Sequence, residues 1–123
     1  MTQTRTELGK KAEDAAVVYL QARGYRVLAR NYRNPFGEID IIAQDGPMLC
    51  FVEVRSRAET WHGHPFESIS PAKQRKLTRA AQGFLVEQNN ADVDARFDVV
   101  AVIPDDNGGH ALELIQNAFE VGS

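Results

Sequence analysis

The segment from Glu38 to Arg57 constrains this chain more than any other. Glu38 to Gln44 and Leu49 to Arg57 stand on either side of Asp45-Gly46, a turn pair typical of hairpins. Ile39, Ile41, Val52 and Val54 supply apolar positions at strand spacing, so a β-hairpin is expected. Side chains alternate between the two faces of a strand. Glu38 and Asp40 are then expected on one face, with Ile39 and Ile41 on the other. Glu53 and Arg55 likewise oppose Val52 and Val54. If Gln44 pairs with Leu49, the loop is Asp45 to Met48, Asp40 faces Glu53, and Glu38 faces Arg55. Two carboxylates directly across a ladder repel unless something positive lies between them. A divalent cation suits, because hard cations prefer carboxylate oxygens. On these residues alone, a solvated hairpin face with Glu38 paired to Arg55 is an equal alternative.

The flanking sequence supplies the rest of an α/β pattern. Leu8, Ala12, Ala15, Ala16 and Tyr19 recur at helical spacing within Thr6 to Arg23, and Gly24 stands where a C-terminal cap belongs. A strand from Tyr25 to Asn31 follows, then the turn Asn34-Pro35-Phe36-Gly37. After a looser stretch, Ala58 to Ile69, Ser70-Pro71 opens a second helix reaching about Gln88. Ser70 is its N-cap and Leu77, Ala81, Phe84 and Leu85 form its apolar face. Arg96 to Ile103 and His110 to Ile115 are the last strands. The order α-β-β-β-α-β-β predicts a mixed β-sheet flanked by helices.

Length and charge narrow the function. The chain has 123 residues, enough for one modest core. No apolar run approaches the roughly 20 residues that cross a bilayer, and the polar start Met1 to Lys11 lacks a signal peptide's apolar stretch. The single cysteine, Cys50, lies in an apolar run and is expected to be a buried free thiol, which suits the cytoplasm. The net charge is −3, but its distribution is uneven. Residues 1–33 carry seven basic and three acidic side chains, and residues 34–53 carry four acidic and none basic. Residues 54–86 carry six basic and two acidic; residues 87–123 carry eight acidic and one basic. An acidic centre between basic blocks suits a metal-dependent phosphodiesterase, with carboxylates for the cation and a basic rim for phosphates. Scattered solvated charge is the alternative.

Further signals are weaker. Lys73, Lys76 and Arg79 recur on one side of the second helix, either as a phosphate-tracking ridge or as a solvated face. Gln74 falls on the inward face, where a buried amide needs partners that an active site or a local cap could supply. Glu13 lies at the edge of the first helix's apolar stripe and either leans over the sheet or is solvated. His62-Gly63-His64 lacks a nearby third ligand and is read as loop. Trp61 and Phe66 could stack on a base but are read first as loop anchors. Asn107-Gly108-Gly109 is a turn without the Lys-Ser/Thr of a phosphate loop.

Gly37-Glu38-Ile39-Asp40, then twelve residues, then Glu53-Val54-Arg55 resembles the Asp…Glu-x-Lys core of PD-(D/E)xK nucleases. With Gly9-Lys10-Lys11-Ala12-Glu13, Gly24-Tyr25, Asn31-Tyr32-Arg33, Phe51-Val52 and Lys73-Gln74-Arg75-Lys76-Leu77, the chain from about residue 7 to 118 resembles the YraN family, which is similar to archaeal Holliday-junction resolvases. The resemblance implies one restriction-endonuclease-like domain. It implies Mg²⁺ or Mn²⁺ held by Asp40 and Glu53, with Glu13 completing the site directly or through water. It also implies Gln74 reaching the site from the second helix, a nucleic-acid partner (DNA before RNA), and the option of a homodimer of the kind related resolvases form. Arg55 stands where the family pattern usually has Lys, and arginine cannot act as a base, though it can clamp a phosphate. Three readings follow: a metal-dependent nuclease, a non-cleaving nucleic-acid-binding module of the same fold, and a protein-interaction domain using the acidic C-terminal region.

Overall fold

In the computed structural model, which describes residues 5–56, 69–89, 93–104, 107 and 109–119, the first helix, α1 (Arg5–Ala22), stops for a steric reason. Gly24 adopts φ +90, a backbone conformation that side chains resist, and this lets the Tyr25 N–H reach back to the Leu20 carbonyl at 3.0 Å. The chain reverses into β1 (Arg26–Asn34) and β2 (Gly37–Asp45). Asn34 closes the turn between them, its Oδ1 accepting the N–H groups of Phe36 and Gly37. β3 (Met48–Ser56), α2 (Pro71–Glu87), β4 (Ala95–Pro104) and β5 (His110–Phe119) complete the expected order α-β-β-β-α-β-β. The strands are longer than the pattern suggested, β1 by three residues and β5 by four at their C-terminal ends.

The sheet runs β1-β2-β3-β4-β5. Among the described residues only β3 and β4 pair in parallel, which requires the α2 crossover between them. This mixed sheet flanked by helices is the architecture expected of a restriction-endonuclease-like domain. Two cores follow from strand alternation. Ile42, Leu49, Phe51, Phe97 and Val99 face α2, where Leu77, Ala80, Ala81 and Phe84 meet them. Ile41, Ala43, Cys50, Val52, Val100 and Val102 face α1, against Ala12, Ala16 and Leu20.

Helix α2 begins as its sequence predicts. Ser70 is the N-cap, its Oγ accepting the Lys73 N–H at 3.1 Å, and Pro71 occupies the first turn. The helix lies close on the β1–β2 turn. Asn34 donates its Nδ2 to the Ala80 carbonyl at 3.0 Å, and a Cβ at Gly83 would stand 2.7 Å from that nitrogen. At the other end of the sheet, Asp98 is fully buried yet satisfied. Arg96 Nε donates to it at 2.9 Å, Tyr25 OH at 3.1 Å and the Asn117 N–H at 2.9 Å. Cys50 is buried as expected, and burial followed by the nearby Asp98 charge pushes its thiol up to about 12. Trp61, His62, His64 and Phe66 lie outside the described residues.

Candidate active site

The hairpin register is the one the sequence predicts, with Gln44 opposite Leu49 and Ile41 opposite Val52. Two details differ. Asp45 and Met48 also pair, so the loop shrinks to Gly46-Pro47, with Gly46 at φ +57. The second difference lies at Asp40. The β2–β3 register runs from Asp45↔Met48 only as far as Ile41↔Val52 and does not continue to Asp40 and Glu53. On the other side, β1 pairs Arg30 with Ile41 and Tyr32 with Ile39, passing over Asn31 and Asp40. Asn31 has φ +52, a left-handed conformation that asparagine tolerates better than most residues. The alternation of β2 breaks here. Ile39 joins the α2 core while Ile41 joins the α1 core, so they do not share the face expected of them.

The break gives Asp40 a different job. Its Oδ2 accepts the Val54 N–H at 2.9 Å, so a side chain bridges β2 to β3 beyond the end of the ladder. This draws the Asp40 carboxyl inward to hydrogen-bond with Glu53. The two carboxylates do meet, but through side chains and not as an opposed ladder pair. Glu38 does not face Arg55 in a ladder; it pairs with Arg33 across β1–β2, Nε to Oε2 at 3.2 Å.

Glu53 is one of two buried charged residues among those described, the other being Asp98. Alternation from Phe51 turns it toward α2, and Lys73 in the first turn of that helix reaches its Oε1 with Nζ at 3.4 Å. Burial is the main cause that raises the Glu53 carboxyl to about 7, and the Asp40 charge adds to it; Lys73 opposes the rise. Burial raises Asp40 as well, against the pull of the Val54 N–H, the Glu53 hydrogen bond and Lys73. Two acids that touch in a poorly solvated place hold a proton between them more readily than two negative charges.

The other expected residues fall around this pair in different ways. Glu13 lines a cavity of about 300 Å³ together with Asp40, Lys10, Asn31 and Ser56, so it does lean over the sheet. Its Oε1 is already taken, accepting from Arg30 Nε at 3.0 Å and Asn31 Nδ2 at 3.1 Å. Among the described residues no three His, Cys, Asp or Glu side chains converge as a metal group. Arg55 follows Glu53 on the α2 side and is half-buried. Gln74 takes the local-cap alternative: its Nε2 donates to the Ile69 carbonyl at 3.0 Å, on the chain entering α2. The Lys73, Lys76, Arg79 ridge divides. Lys73 serves Glu53, Lys76 is exposed, and Arg79 lines a separate apolar groove with Phe36 and Val86.

Sequence reasoning missed Arg30 and Asn31, which fix Glu13, and the direct contact of Lys73. Asparagine's tolerance of left-handed backbone was the available signal at Asn31. Nothing local could have shown that Lys73 reaches Glu53, because that depends on where the crossover lays α2.

Comparison with known proteins matches residues 12–102 to a family model described as uncharacterised protein family UPF0102, the YraN family. A UPF0102 protein of Desulfosudis oleivorans is 48% identical over 120 residues, covering 98% of this chain and 95% of the relative. One of Chlorobium phaeobacteroides is 46% identical over 118 residues, covering 92% and 94%. One of Symbiobacterium thermophilum is 47% identical over 112 residues, covering 91% and 95%. Among the described residues, no helix is long and apolar enough to cross a membrane.

Proposed function

We propose, from the premise that the chain belongs to the UPF0102 family, that it is a divalent-cation-dependent nuclease-like protein hydrolysing nucleic-acid phosphodiesters, DNA before RNA. The observation that carries this reading is the buried, hydrogen-bonded pair of Asp40 and Glu53 on adjacent strands. Burying two acids together costs stability and serves no packing purpose. Such a pair suits a hard cation, Mg²⁺ or Mn²⁺, which needs oxygen ligands and supplies the charge the site lacks. When bound there, the cation supplies Lewis acidity toward a phosphate oxygen and makes water easier to deprotonate.

The chain's own residues do the rest. Asp40 and Glu53 bind the cation. Glu13, held by Arg30 and Asn31, borders the cavity beside Asp40 and contributes through water. Arginine is a cation and not a base, so Arg55 offsets charge on the phosphate and does not activate water. Lys76 and Lys10, outside the acid pair, suit phosphates on either side of it.

A second reading, a nucleic-acid-binding module without turnover, is favoured by one observation. Arg55 cannot be a base, and the nearby lysine, Lys73, is tied to Glu53. One set of assays separates the two. Losing even a supporting partner typically costs about tenfold in metal affinity, so Asp40→Asn should weaken Mn²⁺ binding at least that much in calorimetry. Equal affinity would remove the metal site. Mn²⁺-dependent cutting of labelled branched, duplex or single-stranded substrates by wild type or Arg55→Lys, lost in Glu53→Ala, supports the nuclease. Binding with no cutting by any variant supports the module.

A further inference from the structure

Lys73 stands in an unusual place for a lysine of a phosphate-tracking ridge. Its backbone is fixed, because its N–H is the one the Ser70 cap holds. Its side chain is 45% exposed, while the carboxylate it touches is 7% exposed. The ammonium therefore approaches the acid pair from the solvent side, on a flexible four-carbon stem. It lies 3.4 Å from Glu53 Oε1, the oxygen side of one proposed cation ligand. A divalent cation bound to that carboxylate would sit at about 2.0–2.6 Å from its oxygens. An ammonium and a divalent cation cannot share the carboxylate at these distances without strong repulsion.

Resting on the cation site proposed above, we propose that Lys73 is the site's exchangeable counter-cation: without a divalent ion its ammonium neutralises Glu53, and a divalent ion displaces it toward solvent, where it meets a substrate phosphate. The lysine is then a positioning residue that couples the two ligands. Cation binding releases a positive charge at the mouth of the site, where the phosphate backbone arrives. Nucleic acid in turn gives the displaced ammonium a new partner and so favours the cation-bound form, since coupling of this kind is reciprocal.

The test is Mn²⁺ affinity without nucleic acid, measured by calorimetry on the full chain at about pH 8, above the range in which the acid pair holds its proton. Lys73→Met keeps the stem and its helix propensity but removes the competitor. It should bind Mn²⁺ more tightly by about fivefold, the upper end of what a half-exposed ion pair is worth. Arg75→Met, which removes the same charge from an exposed neighbouring position, should stay within about twofold of wild type. A second readout follows duplex binding by fluorescence anisotropy with Ca²⁺ and with EDTA. Ca²⁺ should strengthen duplex binding more in wild type than in Lys73→Met. Equal or weaker Mn²⁺ binding in Lys73→Met, or the same gain in Arg75→Met, overturns the exchange. If wild type and Lys73→Met both fail to bind Mn²⁺, the cation site itself is wrong.

Discussion

Replacing Glu53 by glutamine should make the cation-free protein more stable at neutral pH. Glutamine has nearly the same shape and keeps hydrogen-bonding capacity toward Asp40, but it carries no charge. The Glu53 carboxyl is raised from an ordinary 4.5 to about 7, first by burial and then by Asp40. Below about pH 4.5 it is protonated in both the folded and the unfolded chain, and stability does not depend on it. As pH rises, the unfolded chain gives up its proton first, while the folded chain holds it to about 7. Stability therefore falls across that window. At 1.36 kcal/mol for each pH unit between the two values, the loss is about 3 kcal/mol, which is a large fraction of a domain's total.

Glu53→Gln removes most of that slope. The proton belongs to the pair, so Asp40→Asn should flatten the same part of the curve. Urea unfolding of wild type and Glu53→Gln in EDTA, between about pH 4.5 and 8, measures the difference. The mutant should gain on wild type as pH rises, reaching about 3 kcal/mol above pH 7. Adding Mn²⁺ at the upper pH should close most of the gap at a hundredfold excess over its Kd, which stabilises the wild type by about 2.7 kcal/mol, and reverse the order at a thousandfold excess, which stabilises it by about 4.1 kcal/mol. A difference that does not change with pH, or a mutant less stable than wild type at pH 8 in EDTA, refutes the buried acid pair.

Two predictions address the scaffold. Gly83→Ala gains about 1 kcal/mol of helix propensity, but its Cβ meets Asn34 Nδ2 at 2.7 Å, and that amide is held by Ala80, Tyr32, Phe36 and Gly37. Displacing Asn34 costs about 1 kcal/mol for each bond lost, so a net loss of up to about 3 kcal/mol is expected in urea unfolding, and a stabilised mutant would contradict the close packing. Asp98→Asn sets an amide against donors from Arg96, Tyr25 and Asn117 in a fully buried place. Breaking a buried charge pair in this way costs about 3 kcal/mol or more, read as a lower urea midpoint, and a loss below about 1 kcal/mol would mean the network is not what holds that end of the sheet.

Much of the hairpin was legible because two independent signals agreed. Asp45-Gly46 called for a tight turn, and the apolar positions of both strands allowed only registers that kept them inside. The cap of α2 was legible for the same kind of reason, since Ser70-Pro71 meets both the N-cap and the first-turn preference. What escaped was the break at Asp40. Strict alternation assumes an unbroken ladder, and it misplaced Ile39 once Asn31 turned left-handed and both ladders passed Asp40 by. For Gln74 the sequence left an active site and a local cap open, because it does not show that a carbonyl of the incoming chain, here Ile69, lies within reach of an amide at the helix start. The Lys73–Glu53 contact joins residues twenty apart across a crossover, a distance at which sequence spacing carries no geometry.

The break at Asp40 is also what makes a site. In a regular ladder the Val54 N–H would bond to backbone, and the Asp40 carboxyl would have no reason to turn in. Because the ladder ends at Ile41↔Val52, that N–H is available, and Asp40 takes it and is brought against Glu53. The sequence thus gives up local regularity where two acids must converge, the kind of place where local rules are expected to fail for function. The convergence leaves an excess of negative charge in a place poor in water, and three positive partners can relieve it: a proton between the acids, the Lys73 ammonium beside Glu53, or a divalent cation held by both. All three act on the same few oxygens, so each must weaken the others. On the proposed reading, acidity, cation concentration and nucleic acid, through Lys73, then act on one linked equilibrium. That reading requires a low-pH form that is stable and closed to metal, and a deprotonated pair that alone can exchange its lysine for a cation.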